Sequence, residues 1–427
     1  EAIFSEIDID PLIYAVSKKS IYGAPTSLNY PAMIYGCIAR IHEGIPTIKK
    51  LVQRLKNDLI FRLDCGFLLS DNVPSESSFS RLIHLLSKSN AIEKSQNTLV
   101  RQAIQEGFIK DDMAAVDVTH FEARDRAKAS EKKEPIEPKK RGRKSKKERE
   151  QWLKEQVEQE AGRTLYEKEI AHQLSASLDE LRSEVPLTPT WGIKKNSERK
   201  NVAWFGYKAH LAVGTQSQYI LQTLMSSASL SDGKGAIPLI KGIHETLHLT
   251  IRYGLLDAGY DFKAIYQQLH NMNAQGIIAY NPRNEQEVEG FDGNFSPTCV
   301  REHSYQYDSY DSAYHRLKYT RPKECKECPL ANDTLCQKVY KIKRLVDIRK
   351  YVEPVRGSQK WKTLYKQRTS VERVNAYLKE YFQLNNVRHR SGKVAKVHFD
   401  LVTLIYNGTK LAIDRMNRKV LQNSIAV

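Results

Sequence analysis

Between residues 201 and 281 the chain alternates apolar runs with segments of helical spacing, and no other feature limits its fold so strongly. NVAWFGYKAHLAVG (201–214), YILQTLMSSA (219–228), the GLLDAGY of TIRYGLLDAGYD (250–261), an apolar strand ending in Asp257 and a Gly-bearing turn, and GIIAYN (276–281) read as strands. SDGKGAIPLIKGIHETL (231–247) and FKAIYQQLHNMNAQ (262–275), which lie between them, read as helices. AAVDVT (114–119) is a further short buried strand carrying one Asp. Strands that alternate with helices predict an α/β domain.

Residues 1–110 lack this alternation and predict an all-helical N-terminal domain ahead of an α/β domain over 111–427. PAMIYGCIARIHEG (31–44) and PTIKKLVQRLKNDLIFRL (46–63) have helical apolar spacing, and VPSESSFSRLIHLLSKS (73–89) has a Pro and Ser entry before an apolar run. Such short helices suit a helix-turn-helix-like DNA-binding unit, with Ser77, Ser78 and Arg81 facing phosphates or bases. They equally suit a small bundle that only packs.

Two segments interrupt the α/β pattern. Residues of about 125–200 read as a basic insertion or arm. Its segment KKRGRKSKK (139–147) offers Arg141, Arg143 and Lys144 to DNA phosphates, in the manner of basic stretches that follow a minor groove. A charge block of this kind is otherwise a disordered stretch or a solvated helix. Residues of about 282–350 are polar, read as irregular, and hold four of the six cysteines. A helical tail, KVAKVHFDLVTLIYNGTKLAIDRM (393–416), closes the pattern.

Composition bears on the partner. The formal net charge is +17, and such an excess favours polyanions, because each phosphate neutralised releases counterions. Double-stranded DNA is the expected partner. No apolar run approaches the roughly 18 residues of a membrane span, so no membrane partner is expected. The first 30 residues lack a charged start followed by an apolar block, so no signal peptide is expected. The chain opens on Glu, as a trimmed or partial chain would. A cytoplasmic, nucleoid-associated location follows as the expectation.

The chemistry rests on Asp117, Asp257 and Glu372. A carboxylate at the end of a buried strand is destabilising unless something positive compensates it, and divalent metal does so. Two Mg²⁺ ions about 4 Å apart can activate an attacking oxygen and stabilise a leaving one in phosphoryl transfer. Glu372 lies in YKQRTSVERVNAYLK (365–379), which reads as one amphipathic helix. At about 100° per residue, Tyr365, Arg368, Glu372 and Lys379 fall in one stripe. Arg368 and Lys379 can hold phosphates there, and Tyr365 can bond a phosphate or stack on a base. The plain alternative is a solvated helix with an Arg–Glu i,i+4 pair.

These residues resemble a known family. The run Y-x2-R-x3-E-x6-K is matched without a gap by Tyr365, Arg368, Glu372 and Lys379. It is similar to the signature of a large group of bacterial insertion-sequence DDE transposases. Asp117 in AVDVTH resembles the first catalytic Asp, Asp257 in LLDAGYD the second, and Glu372 the third acid. NDLIFRLDCGF (57–67) and VPSESSFSRL (73–82) resemble the helical N-terminal domain of such proteins. The resemblance implies a ribonuclease-H-like catalytic domain with insertions. It implies Mg²⁺-dependent cleavage at the ends of a mobile element, with Mn²⁺ able to substitute, and joining of 3′ ends to target DNA. A homodimer on paired ends is implied as well. The rivals are a domesticated or inactive DNA-binding protein and a metal-dependent nuclease without strand transfer.

The cysteines form a separate signal. Cys325, Cys328 and Cys336 fall in CKECPLANDTLC, and Cys299 precedes them with His303 four residues later. Clustered thiols in an intracellular chain suit structural Zn²⁺ better than disulfides. The expected ligands are Cys299, Cys325, Cys328 and Cys336, with His303 as substitute; reduced, unliganded thiols are the alternative. Cys37 and Cys65, in apolar helices, are expected in the core.

Overall fold

A computed structural model describes residues 3–17, 28–127, 145–195, 198, 200–286, 288–331 and 336–425. The chain opens with α1 (Asp10–Val16), α2 (Tyr30–His42), α3 (Ile48–Asn57), α4 (Leu59–Asp64), α5 (Glu76–Leu86) and α6 (Ala91–Gln105). Side-chain caps set several of their starts: Asn29 accepts from Ala32 N–H, Thr47 from Lys50 N–H and Ser75 from Ser78 N–H. The 46–63 segment forms two helices, because the Asp58 carboxylate accepts from Phe61 N–H at 3.0 Å and caps a new start. Cys37 and Cys65 are buried among these helices. Ser78 does not face outward as expected. It is buried, 3.1 Å from Ser75 Oγ, and accepts from Arg81 Nη2. Ser77 and Arg81 are exposed.

β1 (Met113–Glu122) starts the sheet. After α7 (Lys146–Gly162) and α8 (Leu178–Ser183) come β2 (Thr190–Lys195), β3 (Asn201–Gly214) and β4 (Ile220–Ser227). Then follow α9 (Asp232–Glu245), β5 (Tyr253–Leu256), α10 (Lys263–Asn271) and β6 (Gln275–Ile278). The strand order is β2-β3-β1-β5-β6, with β4 also paired to β3. β1, β3 and β4 pair antiparallel, whereas β5 and β6 run parallel to β1. This mixed α/β sheet, with helical crossovers before β5 and β6, fits the ribonuclease-H-like arrangement that the family resemblance implies. α9 packs tightly on the sheet because Gly235 has no Cβ: one built there would stand 2.4 Å from His210 Nδ1. His210 is a core residue, its Nε2 2.8 Å from Ser226 Oγ.

The second interruption is more ordered than its sequence suggests. β7 (Gln306–Asp311), β8 (Arg316–Thr320) and β9 (Val339–Lys343) form a separate antiparallel sheet. Phe295, Tyr305, Leu317, Tyr319, Tyr351 and Val355 give it a core of its own. Its base is tied to the main sheet by Arg349, which donates to the buried Asp261 carboxylate at 2.9 Å and to Glu285 at 2.6 Å. Arg356 donates to Ile278 O at 2.5 Å.

The first interruption is only partly an arm. α7 buries no residue, but Tyr166, Gln173, Leu181 and Val185 are buried against the body, and β2 extends the sheet. These buried positions are spaced too widely to stand out among the charges around them. Arg141, Arg143 and Lys144 lie outside the described residues.

The chain ends with α11 (Gln359–Lys366), α12 (Thr369–Glu380) and α13 (Gly392–Ile425). α12 lies on β1 and β3. α13 packs against α6, α2 and α5 as well as β4. The N-terminal helices, the main sheet and α13 therefore share one contiguous apolar core. Among the described residues no helix is long and apolar enough to cross a membrane.

Candidate active site

The parallel pairing of β1 with β5 brings two acids level. Ala115 is the partner of Leu255, in a one-to-one register. Continuing that register by two residues sets Asp117 beside Asp257, on strands about 4.8 Å apart. Asp117 is held in the strand by pairing with Leu211. Asp257 follows the last residue of β5, and its carboxylate accepts from Gly259 N–H at 2.8 Å. α12 crosses over them and supplies Asn375, whose Nδ2 donates to Asp117 Oδ2 at 3.2 Å.

The two aspartates sit in similar electrostatic surroundings. Burial pushes the Asp117 carboxyl up to about 6; the charges of Asp257 and Glu372 add to this, while Val118 N–H and Arg368 oppose it. Burial also raises Asp257, with Gly259 N–H and Arg368 opposing and Asp232 adding. Arg368 thus acts on all three acids, and its Nη2 donates to Glu372 Oε1 at 2.7 Å. It also lies over the Tyr365 ring, 5.7 Å from the centroid.

The expected single helix over 365–379 is corrected. α11 stops at Lys366 and α12 starts at Thr369. Across the break, the Gln367, Arg368, Ser370 and Val371 N–H groups bond to carbonyls three residues back instead of four. This tightening alters the ideal stripe. Tyr365 and Arg368 stay with the acids, whereas Lys379, on the last turn of α12, belongs to a different group. Burial lowers the His120 pKa to about 4, helped by the charges of Lys379, Lys194 and Lys208. Trp361 stacks on Tyr365 with ring centroids 4.8 Å apart, so it packs within the protein.

Some residues of the site were not assigned from sequence. Asn375 is one. Tyr260, fully buried with no hydrogen-bond partner for its hydroxyl among the described residues, is another; it feels the charges of Asp117, Asp232 and Asp257. Asp232, at the start of α9, accepts from Lys208 Nζ at 2.7 Å. A buried Asn or Tyr on an apolar face reads as core, so only the acids carried a signal.

The donor chemistry at Asp117 and Asp257 fits a hard divalent cation: two neighbouring carboxylates, both resisting ionisation, with cationic charge in demand. The set is not closed. Among the described residues no three His, Cys, Asp or Glu side chains are gathered to hold a metal ion. Glu372, exposed on the helix surface, is engaged by Arg368. The same finding applies to the thiols, all of them free. Burial raises the Cys325 thiol, and the charges of Cys336, Cys299 and Cys328 add to this. The N–H of Leu330 and then Arg301 lower Cys328, and Arg301 Nη1 is 3.8 Å from its sulfur. His303 is exposed and takes part through its backbone carbonyl, which accepts from Cys299 N–H.

Residues 176–407 match a family described as a transposase DDE domain. Residues 1–85 match a second family, described as a transposase domain (DUF772). No curated protein matches the chain. A piggyBac transposase, solved by cryo-EM as a synaptic complex with hairpin DNA, is similar over 98% of this chain and 74% of its own. Its identity is 10% and its TM-score 0.38.

Proposed function

The chain belongs to the transposase DDE domain family, and from that premise we propose that it binds the ends of a mobile DNA element, cleaves them and joins the 3′ ends to target DNA. Within the family we assign it to the group with the Tyr-Arg-Glu-Lys helix signature. What supports this reading is the register that sets Asp117 level with Asp257, with the charge of Arg368 acting on both and its Nη2 bonded to Glu372.

Asp117, Asp257 and Glu372 are the catalytic acids and would hold Mg²⁺, with Mn²⁺ as substitute. A divalent cation there would stabilise the attacking and leaving oxygens of an in-line phosphoryl transfer. The chain's own residues do the rest. Asn375 holds the Asp117 carboxylate through its amide. Arg368 neutralises the acids, and its fork suits a phosphate as well as it suits Glu372. Tyr365, backed by Trp361, offers a hydroxyl or a ring face to the end nucleotide. Lys379, with Lys194 and His120, meets the DNA backbone farther along. Helices α1–α6 and the 125–200 segment, including Arg141, Arg143 and Lys144, extend the DNA contact. Paired ends call for a homodimer, and DNA as partner calls for a nucleoid location. Cys299, Cys325, Cys328 and Cys336 are the proposed ligands of a structural Zn²⁺.

The test uses labelled element-end DNA and a target plasmid. Asp257→Asn is expected to abolish cleavage and strand transfer while end binding persists. Loss of binding by a folded variant removes the assigned role. Cleavage without any strand transfer by the unaltered chain makes it a nuclease.

A further inference from the structure

Arg40 is a buried cation without a counterion among the described residues. It lies on α2 with 4% of its surface exposed. Among the described residues no hydrogen bond or ion pair engages its guanidinium. Its backbone carbonyl accepts from Gln383 Nε2 at 3.0 Å, which fixes the loop between α12 and α13 against α2. That loop brings more positive charge. Arg388 acts on Arg40, and Arg124 donates to the Arg388 carbonyl. His389 faces both Arg40 and Arg124, and burial and these charges hold it neutral, with a pKa lowered to about 4. His398, beneath, is held lower still by burial and Arg40, its Nε2 3.0 Å from Gln383 O.

The nearby acids are occupied elsewhere. Asp125 accepts from Ser391 N–H at 3.0 Å, and Glu43 pairs with Arg54 at 3.1 Å. Burial raises the Cys37 thiol to about 11, so no thiolate balances Arg40. A cation so largely buried favours an anionic partner, and none of the guanidinium nitrogens of Arg40 is sealed from the surface. Arg124, Arg388 and Arg390 are exposed around it, which leaves the cluster open at the surface.

We propose that Arg40, Arg124, Arg388 and His389 form an anion site that takes one backbone phosphate of bound DNA. The guanidinium of Arg40 forms the floor and the N–H of neutral His389 is a second donor. Arg388 and His389 follow Lys379 along the chain, in the loop after α12, and so continue the backbone contact away from the acids. This rests on the DNA reading above, because free phosphate offers the same oxygens.

Two variants and two probes test it. Arg40→Met keeps the length of the side chain and removes the charge; Arg388→Gln alters an exposed residue whose loss leaves the core intact. Each is expected to weaken binding of element-end DNA roughly tenfold at about 0.1 M salt, and to reduce the slope of log K against log salt by about one. Arg40→Met is also expected to keep or raise Tm, since it removes an unpaired charge. Inorganic phosphate is expected to raise the Tm of the unaltered chain and not that of Arg40→Met. Unchanged salt slopes in both folded variants overturn the proposal. A phosphate effect on Tm that Arg40→Met abolishes, with unchanged DNA binding, makes this a free-phosphate site and overturns the DNA assignment. If the unaltered chain binds no DNA, the transposase reading fails with it; the phosphate arm then decides whether an anion site exists at all.

Discussion

Burial and the charges of Asp257 and Glu372 raise the Asp117 carboxyl to about 6, whereas the same group in an unfolded chain ionises near about 3.9. Between those pH values the folded chain keeps a proton that the unfolded chain has lost. The associated stability is complete below the unfolded pKa and disappears as pH rises through the folded one. In chelator, the Tm of the unaltered chain is therefore expected to fall between about pH 4 and 7, by the equivalent of about 2–3 kcal/mol. Asp117→Asn should flatten that part of the profile, and parallel profiles would disprove the account. At this scale the acids were legible because carboxylates on strand ends need a reason to be there. Asn375 and Tyr260 were not, since their use depends on which neighbour the fold brings to them.

Elements were read well where apolar periodicity was strong. β3 has the bounds 201–214 of its apolar run, and α9 starts one residue after Ser231. The insertion sheet was missed because the strand QYDSYD is largely exposed and leaves little alternation to see. What fixes this sheet to the body is an ion pair distant in sequence, Asp261 with Arg349, both side chains almost wholly buried. Asp261→Ala leaves Arg349 buried with only Glu285 as ionic partner. The expected loss is about 3–5 kcal/mol, read as a lower urea midpoint, while a surface change such as Lys318→Gln should have little effect. An unshifted midpoint for Asp261→Ala would show that the insertion is held by its aromatic core alone. The break between α11 and α12 was illegible for another reason: a shift from four-residue to three-residue bonding alters no residue type.

At the scale of the whole molecule, the sequence suggests a boundary near residue 110. Core packing does not stop there. Leu99 and Val100 of α6 belong to the same apolar core as Phe399 and Val402 of α13. A fragment of residues 1–110 is therefore expected to lack cooperative unfolding, and the full chain to lose its N-terminal helices and α13 in one transition. Hydrogen exchange resolved along the chain would check this; independent protection of the isolated fragment would contradict it. The ion pairs of Arg415 with Glu6 and Glu106 tie the same two regions together. Translation gives this arrangement a temporal side. The first helices leave the ribosome long before α13 exists, and at about 5–20 residues per second the delay is on the order of half a minute. Until then their oily faces have only provisional company, so the nascent chain is a natural client for chaperones, and a ribosome that stops short of α13 releases a polypeptide unable to finish folding.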